Sequence, residues 1–470
     1  MSRPGRTFAM ISIGVFASLL DLFIVNIAFP DIQRDFAGSG LAELSWVLNG
    51  YAVVFAALLV PSGRLADLYG RKRGFVAGMS LFVLASAACA AAPSAPVLIA
   101  ARVLQGAGAA ILTPSSLGVV LPAFAPQRRP AVIAAWAAVG AVGAAAGPPL
   151  GGLLVQASWR WVFLVNLPLG AVSIWYAARR VEESRDPRAG GLPDLAGTVA
   201  LMLGIGALTL ALVKGREWGW TTAGTLTAFA AAALLTITTL ARSTRHPVPV
   251  LELPILRIPS FALAVAAAFA FFAAFAALLL SGVLFLTQVW GHSILRAGAE
   301  LAPGPLAALA FAALASRVGP RVGMATIGAV GGLLVAAGLL VNSALIDLTP
   351  DYAGAFLPGQ LLTGAGVGLS IPAFTAVAVN AVGPARIATA IGISAMFRQV
   401  GAALGVAAFV AIVASPTRDE AIHAYRQGWV FMTATATVGA LLMLIARLAA
   451  PHQATHRAGR PARGHVPSGT

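Results

Sequence analysis

The chain has 470 residues, of which 59% are hydrophobic and only 10% charged; soluble domains carry about a quarter charged residues, so this chain has too few to cover a water-facing surface. The net charge of +15 does not point to nucleic acid, because the arginines fall in short clusters between apolar runs with few aromatics interleaved. The one cysteine, Cys89, lies in an apolar run, which excludes a disulfide and a cysteine-based metal site, and the six histidines have no ligand spacing.

Apolar stretches of about 20 residues, each long enough to cross a hydrocarbon core about 30 Å thick, recur along the whole chain. They predict an all-α integral membrane protein with fourteen transmembrane helices, over 8–29, 44–63, 74–92, 96–117, 131–154, 161–179, 195–213, 221–241, 259–284, 299–316, 324–342, 353–378, 386–414 and 427–449. The first run is too long for the apolar core of a cleaved signal, and no small-residue cleavage site follows it. Basic groups at Arg3/Arg6, Arg71-Lys72-Arg73, Arg128/Arg129, Arg179–Arg188, Arg242/Arg245, Arg317/Arg321, Arg386 and after Arg447 all fall on one side. The positive-inside rule makes that side cytoplasmic, with both termini on it, in a cell membrane. The other side is expected to have acid-containing loops around Asp31/Asp35, Asp347/Asp351 and Asp419-Glu420. Trp159, Trp161, Trp218, Trp220 and Trp429 near span ends read as an interfacial belt.

Asp21 lies inside the first span, in the run Leu20–Pro30. A carboxylate at that depth costs about 2.5–3.5 kcal/mol, so it is expected to face a packed interior or a water-filled path, where it binds a proton or cation. The plainer alternative is an acid neutralised by Asn26 or Arg102. Arg102, also inside a helix, must be paired, and it is expected either to tune the protonation of Asp21 or to form a structural ion pair with it.

The chain repeats itself at a shift of about 250 residues. Arg102-Val-Leu-Gln-Gly106-Ala-Gly108, with Pro114, corresponds to Gln360-Leu-Leu-Thr-Gly364-Ala-Gly366, with Pro372. The segment Leu65–Lys72 corresponds to Leu314–Arg321, and Gly147–Gly151 more weakly to Gly401–Gly405. Parallel six-helix repeats build one class of secondary transporter. The shift divides the chain into a first bundle at 1–180 and a linker at 181–258 that holds two inserted spans (195–213 and 221–241). A second bundle follows at 259–449, and a basic tail at 450–470. The second half has Phe271 or a neighbour, Ser316 and Gln360 where the first has Asp21, Asp67 and Arg102, so proton chemistry is expected in the first half alone.

Taken together, these motifs resemble the major facilitator superfamily and, within it, the fourteen-helix drug:proton antiporters. Gly63-Arg64-Leu65-Ala66-Asp67-Leu68-Tyr69-Gly70-Arg71-Lys72-Arg73 is similar to the signature loop after helix 2. Arg102–Gly108 resembles the helix-4 motif, and Gly140 through Gly147-Pro148-Pro149-Leu150-Gly151-Gly152 the antiporter motif of helix 5. Leu20–Pro30, Trp159–Gly170 with its Asn166, Gln288 with Gly291 and Gly298, and Phe397-Arg398-Gln399-Val400-Gly401 resemble further segments of that family. There are departures: Phe23 stands where the family usually has threonine, and helices 11–14 have no acid within the membrane, which argues against broad export of dications.

The resemblance implies a major facilitator fold and alternating access between the bundles, with Asp21 and Arg102 as the coupling pair. It implies that Gly63, Asp67, Gly70, Arg71 and Arg73 latch the two halves on the inner side, and that the helix bearing Gly140, Gly147, Pro148, Gly151 and Gly152 controls proton leak. Asn26, Gln105, Gln288, Glu300, Gln360, Arg398 and Gln399 are the candidate cavity residues. Trp46 and Trp136 are expected to be interfacial anchors. No Gly-x-x-x-x-Gly-Lys-Ser/Thr loop is present, so ATP is not the direct energy source. No cofactor or metal is expected beyond the coupling proton, and the partners are a small-molecule substrate and membrane lipid, with a monomer sufficient. The expected function is proton-coupled export of small amphipathic or aromatic compounds such as antibiotics. The alternatives are a dedicated natural-product exporter, a lipid flippase, a nutrient importer and, last, a membrane enzyme, for which no catalytic arrangement is found.

Overall fold

The computed structural model describes residues 3–185, 191–383, 386–413 and 418–449. The tail at 450–470 and Arg188 of the linker lie outside the described residues. Among them, fourteen helices are long and apolar enough to cross a membrane. Their cores are α1 (Arg3–Asp35), α2 (Trp46–Tyr69), α3 (Arg71–Ala90), α4 (Ala95–Val120), α5 (Arg129–Val155), α6 (Asn166–Arg180), α7 (Leu195–Trp218), α8 (Ala223–Ser243), α9 (Pro259–Leu284), α10 (Pro303–Val322), α11 (Met324–Leu345), α12 (Leu357–Asn380), α13 (Ile387–Val413) and α14 (Arg418–Ala449). The fold is the expected all-α multi-pass membrane architecture. An even number of crossings puts the start of α1 and the end of α14 on one side, together with the arginine clusters; we call it the Arg-rich side.

The repeat is legible in the packing. In the first half α1 packs on α5 and α6, α4 on α2 and α3, and α3 on α6; α9 packs on α13 and α14, α12 on α10 and α11, and α11 on α14 in the same pattern. The small residues that permit these approaches correspond too. Gly106 lies against the backbone of Tyr51 in α2 and Gly108 against that of Phe82 in α3, while Gly364 lies against Gly304 in α10 and Gly366 against Gly331 in α11. Without a hydrophobic drive between helices in lipid, such backbone approach is what gains dispersion contact. Gly401 and Gly405 of α13 press on the Phe269 and Ala273 carbonyls of α9, as Gly147 and Gly151 of α5 press on Phe23 and Ile27 of α1.

The halves meet along α2 and α13, through Phe23 of α1 and Phe275 of α9 (ring centroids 5.9 Å apart), and where α5 touches the short helix Ile294–Leu301 that precedes α10. Contact between α5 and the second half is concentrated on that short helix and falls away along α10. The inserted hairpin packs through α7 on both α2 and α13, with α8 resting on α7.

Several boundaries differ from the sequence reading. The tenth span begins at Ile294 rather than 299, because the Ser293 hydroxyl caps the Arg296 amide (3.3 Å) and starts a helix one turn early. Glu300 therefore sits within the helix instead of at its entrance. Asp31 and Asp35 end α1 and Asp419-Glu420 open α14; none is in a loop. Trp159 and Trp429 are 4% and 2% exposed, so they are packing residues and not part of an interfacial belt, whereas Trp161, Trp218 and Trp220 are exposed. Trp136 points inward and donates to the Ser116 hydroxyl (3.1 Å), and Trp46 lines a groove beside the hairpin.

Candidate functional site: a caged carboxylate in the first half

Asp21 is the centre of a closed polar cage. Its Oδ2 accepts from Arg102 Nη1 at 2.5 Å, and its Oδ1 accepts from Gln105 Nε2 at 2.8 Å and Asn166 Nδ2 at 2.9 Å. Spacing explains the trio: Arg102 and Gln105 are three residues apart on α4 and so share a face. Asn166 is the first residue of α6, which packs on α1. Arg102 spends its other donors on the Val47 carbonyl (Nε, 2.9 Å) and Gln105 Oε1 (Nη1, 2.5 Å), and its guanidinium stacks 4.4 Å over the Tyr51 ring. Ser86 of α3 closes the base by accepting from Gln105 Nε2 at 2.7 Å. Asp21, Ser86, Arg102, Gln105 and Asn166 are all 0% exposed, so solvent has no direct access to the carboxylate.

Two atoms of the cage are left over. Arg102 Nη2 and Asn166 Oδ1 are buried without a protein partner. Leaving a buried donor and a buried acceptor unpaired is costly in a low-dielectric interior.

The cage settles two sequence-level alternatives. Asn26 is no partner of Asp21: its Nδ2 donates back to the Leu22 carbonyl of its own helix (3.0 Å). Gln105 belongs to the cage and does not line a cavity in this state. Asn166, Ser86 and Tyr51 join the cage as well, beyond the residues expected there from the sequence. Asn166 carried a signal, an isolated amide inside an apolar run; Ser86, among alanines, carried none.

The signature loop is organised by acids as much as by its glycines. Gly70 has φ +128°, and a Cβ there would meet the Glu183 carboxylate 2.5 Å away. Glu183 in turn caps α3, accepting from the Lys72 and Arg73 amides at 3.0 and 3.1 Å, which suits a carboxylate at a helix N-terminus. Gly63 packs on Pro114 of α4. Asp67 does not reach the other half: it pairs with Arg71 one turn away (2.8 Å). On this side Arg64 reaches the linker, its Nη2 2.9 Å from Glu252, and Glu252 also accepts from Thr389 at 3.4 Å at the start of α13, so the linker carboxylate joins the two halves.

The glycines of α5 divide their contacts. Gly140, Gly147 and Gly151 lie on α1, against Leu19, Phe23 and Ile27. Gly152 instead faces the second half, with the Gly298 Cα 3.4 Å from the position of its missing Cβ, and Gly298 likewise abuts the Pro148 carbonyl oxygen.

The second-half candidates are spread out. Gln288 donates to Gln33 of α1 (2.8 Å) beside a cavity of about 670 Å³ at the membrane face away from the Arg-rich side, lined also by Arg34 and His292. Glu300 is buried and fully engaged, with His292 Nδ1 at 2.7 Å and Arg296 Nε at 2.8 Å. Gln360 accepts weakly from the Tyr352 hydroxyl (3.5 Å). Gln399 is 8% exposed, and Arg398 stands half-buried on α13 with its Nη1 3.4 Å from the Thr375 hydroxyl.

Comparison with known proteins identifies the family. Residues 11–406 match the Major Facilitator Superfamily. The chain is 36% identical to the multidrug resistance protein Stp of Mycobacterium tuberculosis, over 87% of this chain and 76% of that one. It is 34% identical to the methylenomycin A resistance protein of Streptomyces coelicolor, over 88% and 86%. A solved bacterial homologue of the human drug peptide transporters PepT1 and PepT2 superposes with a TM-score of 0.65 at 15% identity, over 95% of this chain and 98% of that one, a likeness of fold. The chain belongs to the major facilitator superfamily, a family of transporters, and is not an enzyme.

Proposed function

We propose that the protein exports small amphipathic or aromatic compounds, antibiotics among them, in exchange for protons, with the Arg-rich side cytoplasmic. The observation that carries this reading is the Asp21 cage: a carboxylate deep in the bundle, fully buried, with its cation held by other acceptors as well. When Asp21 takes up a proton it no longer neutralises Arg102. The guanidinium then still has the Val47 carbonyl, Gln105 Oε1 and the Tyr51 face, so the charge is not stranded. Because the cage is closed, proton entry requires helix motion, and this links protonation to conformation. The loss of α5 contact along α10 supports a state opening toward the Arg-rich side. The names of the relatives, which refer to resistance to drugs and to methylenomycin A, support antibiotics as cargo.

The test is substrate-triggered proton movement in proteoliposomes loaded with a pH dye, over a panel of antibiotics, with Asp21→Asn as control. Proton release that needs both substrate and Asp21 is expected. Export that persists after the proton gradient is collapsed would sink the coupling.

A second reading, movement of a lipid or lipid-linked substrate, draws on an apolar groove of about 560 Å³ between α2, α4 and the inserted hairpin, lined by Trp46, Gly50, Val103, Met202 and Leu235. A fluorescent phospholipid in the same liposomes decides it.

A further inference from the structure

Each membrane-embedded acid of the described residues has its cation. Asp21 has Arg102, and Glu300 has Arg296 and His292. Arg398, in the middle third of α13, has no such answer. Among the described residues its polar contact is one long hydrogen bond, Nη1 to the Thr375 hydroxyl of α12 at 3.4 Å, and its guanidinium lies 5.6 Å from the Phe272 ring centroid on α9. A guanidinium has five N–H donors in a planar fork, so most of its capacity is unspent. A charge kept at this depth is expensive, and membrane proteins retain it where it faces a pathway.

The surroundings say what would complete it. Phe272 and Phe275, both half-buried, stand edge to face at 5.7 Å; Phe271 and Phe374 continue the cluster, and Phe23 of the first half meets Phe275. The fork of Arg398 thus stands at the rim of an aromatic surface that crosses the seam between the halves. A planar fork takes a carboxylate through two parallel hydrogen bonds, and flanking rings accept a planar apolar body by offset or edge contact. A cationic compound would meet like charge, and among the described residues no acid is paired with Arg398 to offset it.

We infer that Arg398 recognises the substrate's anionic group: the preferred cargo is a planar aromatic or conjugated carboxylate, its carboxylate on the Arg398 fork and its ring against Phe272 and Phe275. This rests on the export reading only in placing cargo between the halves, and it is tested without transport.

The experiment is equilibrium binding to the full chain in nanodiscs with no proton gradient, read by ligand-induced thermal shift and by titration. The probes are matched pairs of aryl carboxylates and their carboxamides, beginning with 2-naphthoate and 2-naphthamide, plus the corresponding arylmethylammonium. The expected result is carboxylate binding at least about tenfold tighter than amide, a gap of about 1.4 kcal/mol, and no ammonium binding. Arg398→Gln should remove that preference with the amide affinity unchanged. Arg398→Lys should restore part of it, because lysine has the charge without the fork. Thr375→Val should preserve it, since the hydroxyl only steadies the arginine. Equal binding of carboxylate and amide by the wild type, ammonium binding, no binding of any pair, or a preference that survives Arg398→Gln would each overturn the inference. Asp21→Asn should keep the preference, so loss of proton coupling and loss of anion recognition are separate failures.

Discussion

Gly152 and Gly298 meet across the two halves with no side chain between them. A Cβ on Gly298 would begin 2.9 Å from the Pro148 carbonyl oxygen and 3.1 Å from the Gly152 Cα. The same helix that packs on α1 through Gly147 and Gly151 therefore closes the seam at its far end through Gly152. One element reports to the carboxylate-bearing helix and to the second half at once.

Gly298→Val is expected to prise this contact apart. Overpacking at such a seam costs about 1–3 kcal/mol, and here separation of the halves relieves it. Thiol labelling of a cysteine placed at Gln288, beside the cavity on that side, should speed up severalfold while export falls. Unchanged labelling would mean that the glycine pair does not hold the seam.

Asp21→Asn should abolish proton-linked export and also lower thermal stability. Removing one partner of a buried pair costs about 3–5 kcal/mol because a charge is left behind. The alternative acceptors of Arg102 should hold the loss to the low end of that range. Asp21→Asn with Arg102→Gln should regain stability but not export, and a double-mutant cycle by thermal unfolding measures the coupling. Additive losses would argue that the pair is not coupled in the folded protein.

Arg64, not Asp67, is expected to control release of the halves on the Arg-rich side. Arg64→Ala should change turnover with little effect on stability, since a partly exposed pair is worth about 0.2–1 kcal/mol. Glu252→Gln should reproduce it, and the double variant should add nothing. Asp67→Asn should instead loosen the turn before α3, read as faster proteolysis between α2 and α3. If Arg64→Ala leaves transport kinetics untouched, the Arg64–Glu252 contact has no gating role.

Asp194 ties the inserted hairpin. It caps α7 through the Gly197 amide (2.8 Å) and holds Arg242 at the end of α8. Burial pushes its carboxyl up, but the hydrogen bonds from Arg242 and Gly197 and the nearby positive charge more than offset this and hold it below the usual carboxylate range. A depressed folded pKa means that the contribution is fully present above the unfolded value of about 3.9 and is lost as pH falls through the folded value. Hydrogen exchange in α7 should therefore be flat from pH 8 to about 5, after correction for intrinsic rates, and rise below about 4. Asp194→Ala should cost about 0.5–2 kcal/mol as a lost cap. A pH-independent hairpin would contradict this.

Much of the fold was legible because the bilayer imposes length and apolarity on every span, and the repeat survives in its glycines: the Gly106/Gly108 and Gly364/Gly366 approaches can be aligned by eye. The pair Asp21–Arg102 was legible because an acid and a base in lipid have few ways to be tolerated. Asn166 and Ser86 were not, since which face of a small polar residue meets a cage depends on helix rotation. The reach of Asp67 was misjudged for a related reason. Its partner Arg71 is one helical turn away, whereas the actual bridge from Arg64 runs to Glu252, 188 residues distant, a proximity created by packing alone. The early start of the tenth span followed from one capping serine, a signal present in the sequence but outweighed by the polar character of 291–300.

Among the described residues, every member of the Asp21 cage comes before residue 181 and none from the second half. On the proposed reading, the energy-converting part thus occupies one contiguous stretch of chain, separable from whatever the other bundle grips. Chimeras that join this first half to the second half of a relative should keep the drive and exchange the cargo, so new export specificities can arise by recombination at the linker without rebuilding the motor.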